Sequence, residues 1–167
     1  MNSIASYFVF LLAAFYATTV SAQLVVNTAS TAQQLIEDVL VGPGVEVSNF
    51  QFTGNAATRG TFDGTNSNIG LSSGVIICTG RVSDAVGPNG TPTSDDGTDL
   101  NEAGYPQLAA ISGSPQGTFD AAILEFDFVP SSDTVRFRYV FASNEYMLYV
   151  GAEANDVFAF FISGPGF

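Results

Sequence analysis

The sequence predicts a mainly β fold, an antiparallel β-sandwich of jelly-roll-like type with one short helix near its N-terminus. Short alternating or β-branched runs recur along the chain, and Gly, Asn, Asp and Thr separate them. The chain contains 17 glycines and shows helical spacing in one stretch only. Hydrophobic residues make up 46% of its 167 residues, enough for the core of one domain. These observations favour strands joined by turns over a helical bundle.

The helix is predicted to begin after Ser30, because Ser30 and Gln33 have the spacing of a capping box. Apolar residues then recur at helical intervals, at Leu35, Ile36, Val39 and Leu40. The Gly-Pro-Gly sequence at 42–44 is typical of a turn, so we expect the helix to end before it.

Five strands are predicted, at 45–52, 74–78, 121–129, 134–142 and 157–162. The third and fourth are separated by the turn sequence Pro-Ser-Ser-Asp at 130–133, which predicts a hairpin. In that hairpin Glu125 would lie opposite Arg138 and Asp127 opposite Arg136. We interpret these pairs as structural.

The charge balance excludes several classes of function. The chain has 16 acidic residues, four basic ones, no histidine and no tryptophan, for a formal net charge of −12. So acidic a surface repels phosphate backbones, which argues against nucleic-acid binding. The lack of histidine excludes Ser-His-Asp and Cys-His catalysis and His-ligated zinc. The single cysteine, Cys78, cannot form an intrachain disulfide, and its apolar surroundings indicate a buried, unreactive thiol.

Residues 1–22 have the pattern of a secretory signal peptide. An apolar run is followed by Val20-Ser21-Ala22, a small-residue cleavage pattern that leaves residues 23–167 as a single domain. The alternative is a membrane anchor, but the run is shorter than the roughly 20 residues of a spanning helix. We therefore expect export to the outside of the cell or its outer surface, with no membrane insertion after cleavage.

Acidic and amide residues at strand ends suggest a cation site. Asp120 and Ser143 would face each other across the hairpin, Glu145 follows, and Asn155 and Asp156 precede the next strand. If that strand continues the meander, the side chains meet at one sheet edge, where calcium would relieve the repulsion between carboxylates. The hypothetical calcium ligands are Asp120, Glu145, Asn155 and Asp156. The alternative is that these groups are solvated loop ends.

A second acidic concentration lies in the long loop after Arg81. Its Asp95, Asp96 and Asp99 resemble part of a calcium-binding loop, although the spacing is not that of an EF-hand. We favour the alternative, that they belong to a solvated surface loop.

Several motifs in order resemble the choice-of-anchor L domain family of secreted and surface bacterial proteins, including Bacteroidetes-like members. They are NIGLSSGVIICTG at 68–80, GTDL at 97–100, DAAILEFDFVP at 120–130, YVFASNEY at 139–146 and NDVFAFFISGPG at 155–166. The resemblance implies a secreted or surface location, no enzymatic activity and a domain that continues beyond Phe167, so that this chain would be C-terminally truncated.

Three functions follow from these observations. The first is a non-enzymatic module for adhesion or matrix display, with the hypothetical calcium site as its stabiliser and a surface glycan or protein as its partner. The second is a carbohydrate-binding module that uses Tyr146 and Tyr149. The third is a glycan hydrolase with Glu145 and Asp156 as its carboxylate pair. The sequence favours the first.

Overall fold

Two antiparallel β-sheets make up most of the regular structure, as the sequence predicts. The structure is a computed structural model that describes residues 23–87, 97–114, 116–144, 148–152 and 156–166. The strands are β1 (Val25–Asn27), β2 (Glu46–Thr53), β3 (Arg59–Asp63), β4 (Ser73–Ile77) and β5 (Ile123–Val129). One sheet has the order β1-β3-β4, and the other pairs β2 with β5.

In the three-stranded sheet, β3 lies between β1 and β4, with Val26 opposite Phe62 and Phe62 opposite Gly74. The Phe62 ring is buried and lies across Gly74. A Cβ at position 74 would come within 2.9 Å of that ring, so glycine is needed there for the ring to pack against the sheet.

The two-stranded sheet runs from Glu46 opposite Val129 to Thr53 opposite Ile123. Its register shifts between Ser48 and Gln51, where Asn49 has a positive φ of 55°. Asparagine tolerates this left-handed conformation because its side chain hydrogen-bonds locally. Here the Asn49 amide donates to the Asp127 carboxylate on the neighbouring strand, which anchors the bulge.

The N-terminal helix begins as α1 (Ala32–Gln34) and continues as a π-helix, Leu35–Leu40. Its cap is Thr31 rather than the predicted Ser30. The Gln34 N–H donates to Thr31 Oγ1 at 3.2 Å, and the Thr31 N–H donates to Gln34 Oε1 at 2.9 Å. Both pairs have capping-box spacing, so the pattern alone did not distinguish them. The helix ends before Gly42, as expected.

The core lies where this helix meets the sheets. The helical segment contacts β2 of one sheet and β3 and β4 of the other, and Leu35 and Ile36 are completely buried. Val82, in the 3-10 helix Val82–Val86, is also completely buried, and that helix contacts β1.

Two shorter helical elements complete the fold. The 3-10 helix Ala56–Thr58 joins β2 to β3, and α2 (Pro106–Ser112) lies between β4 and β5. In the described residues no helix is long and apolar enough to cross a bilayer.

The predicted hairpin is wrong. Strand β5 pairs with β2 on one edge, with Glu125 opposite Gln51 and Asp127 opposite Ser48, and no described residue pairs with its other edge. Residues 134–142 and 157–162 carry no strand assignment in the described chain. Local alternation correctly identified β5, but it holds no information on which distant strand becomes the partner.

Removal of the observed cap should lower stability. We expect Thr31→Ala to reduce the free energy of unfolding by about 1 kcal/mol, because Gln34 loses its hydrogen-bond acceptor. Ser30→Ala is the matched control and should change it by less than about 0.5 kcal/mol. Urea denaturation measures both values. A larger effect at Ser30 than at Thr31 would contradict the assignment of the cap.

Candidate functional site

Asp120 organises the loop that precedes β5. Its backbone has a positive φ of 51°, and its two carboxylate oxygens accept hydrogen bonds from separate backbone groups. Oδ1 accepts from the Glu102 N–H at 2.6 Å, and Oδ2 accepts from the Leu100 N–H at 3.2 Å. The Asp120 N–H in turn donates to the Glu102 carbonyl at 3.1 Å. The carboxylate therefore holds residues 100–102 against the start of β5.

Further contacts fix residues 102–105, which continue the loop held by Asp120. Thr118 Oγ1 accepts from the Tyr105 N–H at 3.0 Å and donates to the Tyr105 carbonyl at 3.3 Å. Gly104 lies so close to Thr118 that a Cβ there would overlap its carbonyl oxygen. Asn55, beyond the end of β2, donates to Glu102 Oε1 at 3.1 Å. These contacts fix the loop at the end of the sheet where β2 ends and β5 begins.

Asp84 holds the residues that follow the long acidic loop. Thr98 Oγ1 donates to Asp84 Oδ2 at 2.7 Å, and Ser83 Oγ donates to Oδ1 at 3.2 Å. Burial, with a smaller contribution from the Asp84 charge, raises the pKa of the nearby Cys78 thiol to about 11. Since the thiolate is the reactive form, this agrees with the predicted unreactive cysteine.

The predicted calcium ligands fall partly outside the described residues. Glu145 and Asn155 lie outside them, Asp156 is exposed, and Asp120 makes the backbone bonds given above. Within the described ranges, no group of three or more Asp, Glu, Cys or His side chains is placed to hold a metal ion. The calcium site stays a prediction.

The second acidic concentration is also only partly described. Asp95 and Asp96 lie outside the described residues, whereas Asp99 accepts a hydrogen bond from the Asn101 N–H at 2.8 Å. This contact is a local turn of the kind that aspartate commonly makes.

Two open cavities lie away from these residues. One has a volume of about 340 Å³ and is lined by one arginine, two hydroxyl-bearing residues and two alanines: Arg81, Thr28, Ser83, Ala56 and Ala57. The other, of about 590 Å³, is lined by Glu37, Asp38, Glu46 and the turn at 41–45. Neither is lined by an aromatic ring, the group on which a sugar would stack.

The most prominent apolar surface is one that the sequence placed in strands. We define the aromatic ribbon as residues 134–142 and 156–162. Phe137 and Phe160 have ring centroids 4.0 Å apart, and those of Tyr139 and Phe158 are 5.4 Å apart. From residue 137 to residue 139 the ring partner moves back from residue 160 to residue 158, so the two segments run antiparallel.

The aromatic ribbon is exposed on both of its faces. Phe137, Tyr139 and Phe141 are each more than half exposed, and so are the adjacent Phe160 and Phe161, which point to opposite sides of an extended chain. Exposed apolar areas of this size are typical of interaction surfaces. The alternation of these aromatic residues is visible in the sequence, where it predicts strands but not that the rings are exposed.

Comparison with known proteins places nearly the whole described chain in one family. Residues 23–166 match the family model of the Choice-of-anchor L domain. No curated protein and no solved structure matches the chain.

Neutralising Asp120 should weaken the loop. We expect Asp120→Asn to lower the free energy of unfolding by about 1–3 kcal/mol, because an amide offers only one acceptor oxygen to the two N–H groups. Asparagine still tolerates the positive φ, so backbone strain does not contribute.

Asp38→Asn is the control, since Asp38 is exposed and makes no hydrogen bond within the described residues. Urea denaturation compares the two variants. Equal stabilities would mean that the Asp120 carboxylate does not hold the loop.

Proposed function

Because this chain belongs to the choice-of-anchor L domain family, and is thereby a surface-associated module, we propose that it serves adhesion or matrix display outside the cell without catalysing a reaction. The observation that carries the proposal is the family match over residues 23–166. The signal-peptide pattern of residues 1–22 supports the same location. The net charge of −12 keeps such a module soluble and repels other acidic surfaces.

The chemistry of the side chains supports a non-enzymatic role. The chain has no histidine, and its one thiol has a pKa of about 11, far above neutral pH. The carboxylate of Asp120 is engaged with backbone N–H groups. A nucleophile or a general base poised near neutral pH would need a different environment.

The exposed rings favour protein contact over sugar stacking. A sugar-binding platform presents flat aromatic faces, but the ring of Phe158 is inclined by 81° to Phe160 and by 38° to Tyr139. Tyr149 is partly exposed, and Tyr146 lies outside the described residues.

Two assays test this proposal. In cells that produce the protein, external protease should degrade it while a cytoplasmic marker stays intact. The purified protein should release no reducing ends from a panel of glycans. The Glu145→Gln variant should give the same result. Protection from the protease would overturn the location. Hydrolysis that Glu145→Gln abolishes would support the hydrolase alternative.

We further propose that calcium stabilises the domain through Asp120, Glu145, Asn155 and Asp156. The excess of carboxylates and the proximity of these residues to predicted strand ends support it. The two oxygens of Asp120 keep acceptor capacity beyond their present bonds, because an ionised carboxylate has about four lone-pair sites.

Millimolar calcium should then raise the melting temperature relative to excess chelator, by ~2–4 °C for each kcal/mol of binding. Glu145→Gln and Asp156→Asn should each remove most of this shift. Asp95→Asn is the matched control and should retain it. An unchanged midpoint in the wild-type protein would contradict the proposal, and loss of the shift in the control alone would move the site to the acidic loop.

A further inference from the structure

We propose that the aromatic ribbon docks on the open edge of β5 in a second copy of the chain, so that two copies exchange ribbons in a symmetric dimer. In this dimer Arg138 of one copy pairs with Glu125 of the other, and Arg136 pairs with Asp127. The proposal rests on the ribbon, on the edge of β5 and on their charges.

The ribbon lacks the contacts that its sequence is suited to make. Residues 134–142 alternate apolar and polar side chains in the manner of a half-buried strand, yet they are exposed throughout and form no ladder within the described chain. Among the described residues, their ring contacts are all with 156–162 of the same ribbon. An unpaired extended segment of this kind is a template for strand pairing.

Strand β5 offers a suitable partner edge. Among the described residues it pairs only with β2, so its other edge has unpaired backbone groups. Glu125 and Asp127 are exposed on this strand and are two residues apart. Arg136 and Arg138 have the same spacing on the ribbon, and opposite charges placed directly across a strand pair stabilise it.

The distribution of charge favours a second copy of the chain as the partner. Two of the four arginines are in the ribbon, whereas the other two lie elsewhere: Arg59 over the Phe52 ring at 4.5 Å, and Arg81 beside a cavity. A cationic ribbon on a protein of net charge −12 is complementary to the rest of its own surface. Every copy therefore supplies both the ribbon and the acidic edge.

The position of the ribbon argues against pairing within one chain. After the turn at 130–133 the ribbon does not return along β5. Arg138 instead donates to the Gly70 carbonyl at 3.1 Å, in the connection between β3 and β4. No ladder joins the ribbon to its own β5 in the described chain, and a symmetric exchange satisfies both ribbons at once.

The exposed area is large enough for a stable interface. The ribbon carries six aromatic side chains with fractional exposures between 47% and 61%. At roughly 150–250 Å² for each buried aromatic side chain, their exposed parts amount to about 500–800 Å². Val135, Val140 and Ile162 add to this, which brings the ribbon near the ~800 Å² that each partner contributes to a standard interface.

Charge reversal with light scattering after size exclusion tests the proposal. The wild-type protein should be a dimer at ~10–100 μM, a usual range for such interfaces. The Arg136→Glu/Arg138→Glu variant and the Glu125→Arg/Asp127→Arg variant should each be monomeric. A mixture of the two should form a one-to-one dimer, because reversal on both strands restores opposite charges. Arg81→Glu, the matched control, should remain dimeric.

A disulfide test does not depend on how well the charge variants fold. Asp127→Cys and Arg136→Cys are placed on separate chains that also carry Cys78→Ala, and the mixture is oxidised. A mixed disulfide dimer is expected. A monomeric wild-type protein, or the absence of both the mixed disulfide and the restored dimer, would overturn the proposal, as would open-ended assembly instead of a closed dimer.

Discussion

The helical segment between β1 and β2 holds the described fold together. Leu35 and Ile36 have no exposed surface, and the segment that carries them contacts both sheets. Burial of two such side chains contributes about 1.5–3 kcal/mol each, a large share of the stability of a small domain. The widened π turn matters here, since it sets where each side chain leaves the helix. The Val41 N–H bond to the Ile36 carbonyl, at 2.9 Å, closes that turn.

Acidic side chains in this protein serve its architecture as well as its net charge. Asp120 holds one loop, Asp84 holds the end of another, and Asp127 accepts from the bulge at Asn49. In each case a carboxylate accepts a hydrogen bond from a nearby donor. A chain with only four basic residues thus stabilises some of its carboxylates by hydrogen bonds instead of ion pairs. An acidic composition therefore does not by itself indicate a cation site.

Local features of the fold were predictable, and distant pairings were not. Alternation identified β2, β4 and β5 within two residues at their ends, since side-chain periodicity is a local property. Strand β1 was missed because three residues are too short for a periodic pattern, and β3 because Gly60 interrupts it. The helix α2 spans only Pro106–Ser112, and Tyr105 at its N-cap makes no side-chain hydrogen bond, so its boundary signals were limited to Pro106 and Gly113.

The candidate site shows the same division. The sequence singled out Asp120, but it assigned the carboxylate to a cation because the backbone donors of Leu100 and Glu102 are invisible to pattern analysis. The predicted place of Asp120 opposite Ser143 followed from a hairpin that does not form in the described chain. Strand order depends on contacts between residues far apart in the chain, and short-range spacing does not encode them.

The alternation of Arg136 and Arg138 with apolar residues protects the chain from aggregation before folding is complete. A segment such as Val135 to Phe141 without charge would combine high β propensity with high hydrophobicity, the composition that stacks into cross-β fibrils. The positive charges at these two alternate positions act as gatekeepers, because stacking identical chains in register would place like charges roughly 4.8 Å apart, the spacing of strands. A secreted or cell-surface protein, far from cytoplasmic chaperones, gains solubility from the same two side chains.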